Sequence, residues 1–489
     1  MQRTITIQNT GLRLNAEDGA RLLDVLRAHD LAPEAPCGGN GSCKKCRVLV
    51  DGAEQLACQT AVDRDLTVLL PEKTAKTTVL ASGLDASVAL DPVRPGKLLA
   101  FDIGTTTVVG YLLDEQGREL STASMLNPQA PYGADVISRI QLALGSEADA
   151  LTRCIRGALA ALTREACEKA NVDPAEISVV SVVGNPCMQQ LFLGEPVKNL
   201  AAVPFAPVLT ASSVRPAKDF VPAWENAALL TVPDISGYVG ADTMGCILST
   251  RMYADDAVTL MVDIGTNGEM ALGNRSRMLA CSTAAGPALE GAKIRFGMRG
   301  APGAIDHVRI EDGALKCSVI GGGEAVGICG SGLIDAAAAL LDLGRMNARG
   351  RLSDAEELDG QRIARLTGTV YLTQDDIREL QMAKGAIAAG IRLMARELGI
   401  AVSQIDHVLL AGAFGSFLTP ASACRIGLLP QELLGKITAV GNAAGSGAKM
   451  LACSRQELAR TDALIGHIEF IELASLPDFQ REFASNMRF

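Results

Sequence analysis

Four cysteines within 22 residues, Cys37, Cys43, Cys46 and Cys58, are the densest chemistry in this sequence. They are separated by five, two and eleven residues. Gly38, Gly39 and Gly41 fall inside the first part of the loop, where glycine lets the backbone wrap closely and turn N–H groups toward sulfur. Four thiolates satisfy two irons, and the loop contains no histidine. The pattern therefore predicts a [2Fe–2S] cluster and excludes a Rieske centre. A zinc site would use paired Cys-x2-Cys knuckles, whereas one cysteine here stands alone in a glycine-rich run. The chemistry is transfer of single electrons.

A second chemistry is written twice. The apolar run Leu98-Leu99-Ala100-Phe101 leads into Asp102-Ile103-Gly104-Thr105-Thr106-Thr107, and Leu260-Met261-Val262 leads into Asp263-Ile264-Gly265-Thr266-Asn267-Gly268-Glu269, about 160 residues later. Gly104 and Gly265 permit a tight turn against phosphate. The backbone N–H groups of the turns, Asn267 included, and the hydroxyls of Thr105, Thr106, Thr107 and Thr266 can cradle its oxygens. Asp102 and Asp263, at the strand ends, can hold Mg²⁺ through water, and Glu269 could orient a water for hydrolysis. One such turn is common, but two, each after an apolar strand, predict facing turns that clamp ATP. No Gly-x4-Gly-Lys-[Ser/Thr] occurs, which excludes a P-loop. Two further glycine-rich turns, around Gly412 and Gly415 and around Gly441, Asn442 and Gly445, suit the flat approach of an adenine. The plainer reading of the second is a helix N-terminus that needs close packing.

These residues require particular elements around them. Arg3–Gln8 alternates like a strand, with Leu12–Leu14 as its hairpin partner, and Asn15 and Asp18 are spaced like a capping box before a helix bearing Leu22, Leu23, Val25 and Leu26. Arg47–Val50 is a strand ending in the Asp51-Gly52 turn. The order strand, strand, helix, metal loop, strand is a β-grasp layout. We read residues 1–75 as this domain and 76–96 as a linker. From residue 97 short apolar strands alternate with amphipathic helices, an α/β pattern, with one lobe over 97–254 and a second over 255–489. The repeated strand–turn words indicate an internal duplication. The order of phosphate turn, phosphate turn and adenosine turn resembles the RNase H-like superfamily of actin, sugar kinases and heat-shock chaperone ATPases. The fold class is thus α+β followed by α/β.

Composition narrows the partners. Hydrophobic residues make up 48% and charged residues 20% of 489, with a net charge of −10, so no basic surface for nucleic acid is implied. The first residues lack the apolar core of a signal peptide, and no run of eighteen apolar residues occurs, so the expectation is a cytoplasmic protein with no membrane span. Thirteen cysteines, an odd number, disfavour a disulfide framework. Cys187, Cys281 and Cys329 lie near glycine-rich turns and read best as buried thiols. The four histidines are isolated and read as structural or surface residues.

The N-terminal 75 residues resemble plant-type and adrenodoxin-type ferredoxins. The whole chain resembles the ferredoxin-fused reductive activators of corrinoid proteins, on Val183–Met188, Ser236–Asp242, Ala284–Gly291 and Gly327–Asp335. That resemblance implies ATP-dependent reduction of Co(II) corrinoid to Co(I), rescuing the corrinoid protein of a methyltransferase system in anaerobic methyl transfer. It also implies an upstream low-potential electron donor, and it is the sole basis for expecting a homodimer. The family carries a further domain between ferredoxin and ATPase, whereas here only about 20 residues separate them. The corrinoid itself is expected on the partner, because no Asp-x-His-x-x-Gly motif is present. Two alternatives are an ATP-driven injector resembling activators of 2-hydroxyacyl-CoA dehydratases, for which Cys281 would be a cluster ligand, and a small-molecule kinase, for which Asp242 or Glu290 would be the base.

Overall fold

The structure is a computed structural model. It describes residues 2–29, 31–33, 35, 39, 41, 44–71, 88–265, 267–353, 356–358 and 360–489. Cys37, Cys43, Thr266 and most of the expected linker lie outside the described residues.

In the strand Gln2–Ile7, Ile5 and Ile7 point inward, as alternation demands. It pairs antiparallel with Arg13–Glu17 and parallel with Leu66–Leu69. Arg47–Val50 and Ala53–Leu56 complete a five-stranded sheet. The helix Leu22–Ala28 lays Leu22, Leu23 and Leu26 on this sheet. This is the expected β-grasp, with one correction. Asn15 and Asp18 do not cap the helix: Asn15 sits in the second strand opposite Thr4, and Asp18 pairs with Arg3 at 2.5 Å. Pairing of an alternating strand, extended by a buried Leu14 and Ala16, outweighs a local cap signal.

The duplication is visible in topology. In the first large sheet, Lys97–Ile103 is flanked by the antiparallel strands Thr107–Leu113 and Glu119–Leu126 on one side and by the parallel strands Ile177–Gly184 and Ala228–Thr231 on the other. In the second, Thr259–Ile264 is flanked by Gly268–Gly273 and Met278–Thr283, then by His407–Ala411 and Ile437–Gly441, with the same pattern of directions. The two central strands end at Asp102 and Asp263, so the repeat puts both turns at equivalent strand ends.

A shared core joins the sheets. Leu98, Ala100, Val109 and Tyr111 of the first meet the same buried cluster as Met261, Ala271 and Ala280 of the second. Two helices, Ala241–Thr250 and Ala443–Cys453, cross within it. The second belongs late in the chain yet lies on the first sheet, where Ser181 Oγ donates to Ala448 O at 2.6 Å. The crossing is close because it is made of small residues: a Cβ on Gly447 would strike the backbone of Gly245, and one on Gly245 would lie 3.0 Å from Ala444 O. Gly447→Ala is therefore expected to cost about 2–3 kcal/mol. Gly157→Ala, in the middle of the helix Ala148–Ala170 with open space around it, should instead stabilise by about 0.5–1 kcal/mol. Urea unfolding of the two variants measures both.

Candidate nucleotide and cluster sites

Each turn is closed by its glycine N–H, which reaches three residues ahead in the first and two in the second. Gly104 N donates to Thr107 O at 2.9 Å, and Gly265 N donates to Asn267 O at 2.8 Å. A Cβ on Gly104 would sit 2.8 Å from the Thr107 carbonyl, so that turn requires glycine. The first turn is braced from behind. Arg139 is fully buried and donates to Thr105 O at 2.6 Å, Gly133 O at 2.9 Å and Gln129 Oε1 at 3.1 Å. Burial lowers its pKa only to about 10, so a positive charge stays behind the turn at neutral pH. Asn185 caps the helix Pro186–Leu193, accepting from Met188 N, and its amide donates to Thr105 Oγ1 at 3.0 Å. Asn127 Nδ2 donates to Gly104 O at 2.8 Å. The turn is thus fixed in shape from behind, which is the preorganisation that phosphate binding needs.

Five carboxylates line the cleft between the turns: Asp102, Asp242, Asp263, Glu269 and Glu290, all half-buried. Asp263 and Glu269 are direct cross-strand partners on one face. Burial pushes Asp102 up to about 7, with the Asn442 amide, 2.9 Å from Oδ2, opposing the rise and Asp242 adding to it. Asp263 is pushed to about 7 by burial, then by Asp242, Asp102 and Glu290. Burial raises Asp242 to about 6 against its backbone N–H partners, Thr243 among them. Glu269 lies well above its ordinary range, from burial and then Asp242 and Asp263. Thr106 Oγ1 donates to Glu290 Oε1 at 3.0 Å, across the cleft. Among the described residues no three His, Cys, Asp or Glu side chains converge to ligate one ion directly.

These shifts have a sign. Carboxyls of the unfolded chain ionise near 4, whereas Asp102, Asp242 and Asp263 are pushed to about 6 to 7 in the folded chain, so the folded state binds more protons between those values and stability falls as pH rises through that window. In the absence of nucleotide and cation, the apparent Tm at pH 8 is expected to lie below that at pH 6, on the order of 5 °C. Mg²⁺ and ATP should restore it, and Asp242→Asn should flatten the dependence. Scanning calorimetry across pH checks all three.

The adenosine candidates divide. Gly412, at φ +80°, abuts Asp263 so closely that any side chain would fall on its carboxylate. Gly441, at φ +68°, precedes Asn442, which caps the helix Ala443–Cys453 by accepting from Gly445 N at 2.7 Å while reaching Asp102. Gly412 and Asn442 thus border the cleft. Gly415 packs on Leu410, and Gly445 packs on Tyr111 in the core between the sheets. Close packing at a helix N-terminus accounts for Gly445. Asp242 is the electrostatic hub of the cluster, and sequence reading had placed it only under a kinase alternative. Arg139, Asn127 and Asn185 were not singled out. Asn185 lies inside the Val-Gly-Asn-Pro segment, and a polar residue between a buried strand and Pro at a helix start was its available signal.

In the N-terminal domain Cys46 is fully buried and Cys58 is 6% exposed. Ala57 N donates to Cys46 O at 2.8 Å, which holds the two cysteine segments together. Arg21 lies near both sulfurs, and its guanidinium donates to Gly39 O at 3.3 Å. Gly39 and Gly41 have φ of +96° and +85°, as a backbone curled around a cluster requires. These residues fit a thiolate-bound metal group. The other cysteines differ. Cys187 and Cys281 are fully buried, with burial pushing the first to about 12 and raising the second, and Cys329 contacts Ser331 Oγ. Cys281 lies 3.2 Å from Met394 Sδ inside the second lobe, which is a core thiol's position. No helix among the described residues is long and apolar enough to cross a membrane.

Comparison with known proteins covers the same segments. Residues 5–63 match the 2Fe-2S iron-sulfur cluster binding domain, 98–255 the RACo middle region, and 257–489 the C-terminal domain of RACo, the ASKHA domain. The corrinoid activation enzyme RamQ of Eubacterium limosum is 31% identical, the alignment covering 95% of each chain. That alignment runs over 569 positions, more than the 489 residues here, so the relative carries insertions that this chain lacks. The [Co(II) methylated amine-specific corrinoid protein] reductase of Methanosarcina barkeri is 28% identical over 74% of this chain and 70% of its own. The solved structure of a reductive activator for corrinoid,iron-sulfur protein aligns over all of this chain and 98% of its own, with a TM-score of 0.74 and 26% identity. A ferredoxin-type domain followed by two duplicated ATPase lobes, matched over nearly its full length, places this chain in the RACo family of corrinoid reductive activators.

Proposed function

We propose that this protein is an ATP-dependent reductase that returns Co(II) corrinoid on a partner protein to Co(I). The carrying observation is the pair of equivalent strand-end turns facing a carboxylate cleft, on one chain with a cysteine-lined β-grasp domain. When bound, the cluster supplies a one-electron relay. One electron leaves a low-potential donor and one cobalt is reduced, so the balance needs no other reactant. The uphill part is the potential. Ten-fold in a one-electron equilibrium corresponds to 59 mV, or ~1.4 kcal/mol, so coupling on the order of 10 kcal/mol offsets roughly 400 mV. Nucleotide can supply that only through different affinities for two states of the complex.

The residues have distinct roles in this reading. Cys37, Cys43, Cys46 and Cys58 hold the cluster. Gly104–Thr107 and Gly265–Asn267 bind phosphate through N–H and hydroxyl donors. Asp102 and Asp263 hold Mg²⁺ through water, and Glu269 orients the hydrolytic water. Gly412, Gly441 and Asn442 border the nucleoside end. The lobes divide at 254/255, a homodimer is the assembly, and a low-potential donor supplies the electron. Cys281 in the core removes the feature that favoured a dehydratase activator.

The test is anaerobic spectrophotometry of the purified protein with a low-potential reductant and a Co(II) corrinoid protein. Co(I) absorbance should rise only when ATP and Mg²⁺ are present, and ATP hydrolysis should rise when the corrinoid protein is added. Reduction at the same rate without ATP, or hydrolysis indifferent to the corrinoid protein, sinks the proposal.

A further inference from the structure

Among the described residues, Arg27 and Lys45 of the ferredoxin-type domain reach the ATPase, and they reach different lobes. Arg27, at the end of the helix Leu22–Ala28, lies with its guanidinium carbon 5.5 Å from the ring centroid of Tyr132. Its side chain is only 6% exposed, although it also pairs with the surface residue Asp24. Lys45, the neighbour of Cys46, donates from Nζ to Gly291 O at 3.4 Å.

Both targets connect to the turn Gly104–Thr107, Tyr132 through Gln129 and Arg139 and Gly291 through its neighbour Glu290. Tyr132 N donates to Gln129 O at 2.9 Å, and the Gln129 side chain accepts from Arg139, whose other arm holds Thr105 O. Gly291 follows Glu290, whose carboxylate holds the Thr106 hydroxyl. Gly291 sits at φ +80° and is packed so closely on Gly297 and Met298 that a Cβ would lie 2.6 Å from Met298 N. The carboxylate that holds Thr106 and the carbonyl that accepts from Lys45 are thus borne by adjacent residues, Glu290 and Gly291, at the tightly packed end of one short turn.

We propose that the ferredoxin-type domain is a clamp seated across the nucleotide cleft, and that phosphate and the clamp compete for the turn that carries Glu290 and Gly291. The inference rests on the reading of Gly104–Thr107 as a phosphate turn. A phosphate bound there takes Thr106 as its donor and repels the Glu290 carboxylate, since like charges at contact are unfavourable. Glu290 is displaced, the adjoining Gly291 carbonyl shifts with the turn, and the contact of Lys45 with that carbonyl is weakened. Because Lys45 adjoins Cys46, the docked face is the one that carries this part of the cysteine loop. Nucleotide thus uncovers that face for the corrinoid partner. Linkage makes the effect reciprocal: docking weakens nucleotide binding by the same factor that nucleotide weakens docking.

The sign separates this from simple attraction. If Lys45 merely drew the anionic nucleotide in, Lys45→Ala would bind it less well. The clamp predicts tighter binding of a non-hydrolysable ATP analogue to the full-length, cluster-loaded protein. Calorimetry should give about three- to ten-fold for Lys45→Ala, and the same direction for Arg27→Ala and for Tyr132→Ala on the opposite side of the contact, as expected for losing one cation contact. Lys45→Arg should restore the wild-type affinity. Small-angle scattering should show wild type expanding when the analogue is added and the alanine variants already expanded without it. Visible absorbance of the cluster confirms that each variant has folded. Unchanged or weaker affinity in all three alanine variants, with no expansion of wild type, overturns the clamp. Failure of wild type to bind the analogue at all overturns the nucleotide reading and the clamp with it, whereas binding without these differences overturns the clamp alone.

Discussion

Cys58→Ser is expected to yield a protein without the visible absorbance of a [2Fe–2S] cluster, at least 100-fold slower in corrinoid reduction, yet still able to bind ATP within a few-fold of wild type. A serine hydroxyl is not a thiolate at neutral pH and is a poor ligand for iron. Position 58 is also unforgiving. It lies in the short 3-10 turn Ala57–Gln59, tied to Cys46 by the Ala57 N–H, so a neighbouring residue cannot slide in as a substitute. The ATPase lobes have their own cores, which is why nucleotide binding should persist. Metal analysis with absorbance decides the matter. A variant that retains a full complement of iron and its spectrum removes Cys58 from the ligand set, and zinc in wild type would overturn the cluster assignment.

Asp263→Asn should lower corrinoid-stimulated ATP hydrolysis by about 10²–10³-fold, the scale of losing one preorganised charge at a phosphoryl-transfer centre. The change keeps shape and removes only the charge. That matters because Gly412 is packed on this carboxylate, so a smaller residue would leave a void and confuse the result. The same substitution should improve binding of nucleotide without Mg²⁺, since one of five repelling carboxylates is gone, and should weaken the effect of Mg²⁺ on affinity. Equal turnover in Asp263→Asn and wild type would remove Asp263 from the metal-holding role. A loss of turnover with an unchanged response to Mg²⁺ would make it a packing residue.

How far the sequence carried this description depended on how local each feature is. The paired turns were readable because a strand followed by Asp-x-Gly folds the same way wherever it occurs, and it occurs twice. The β-grasp order was readable from alternation and turn residues, although Asn15 misled, since pairing with a distant strand overrode its capping signal. Asp242 was visible as a residue but not as the hub of the carboxylates. Its helix enters the cleft from another layer, and the packing of Gly245 on Ala444 and Gly447, with Met244, Ile247 and Leu248 in the shared core, sets its place. Arg139 could not be found by pattern, because a lone arginine in an amphipathic helix looks solvent-facing until its three oxygen acceptors are assembled around it. The contacts of Arg27 and Lys45 depend entirely on how separate domains meet.

The helix Ala443–Cys453 has a consequence for how the protein is made. It supplies one wall of the first lobe, bonding Ser181 across 267 residues and Asp102 across 340. On a ribosome adding about 5–20 residues per second, the first lobe's sheet waits on the order of tens of seconds for its missing wall. During that wait the face bearing Leu98, Ala100, Val109 and Tyr111 is uncovered. The ATPase is therefore a single folding unit rather than two sequential ones, and truncations before residue 453 should give chaperone-bound or aggregated chains instead of a soluble first lobe.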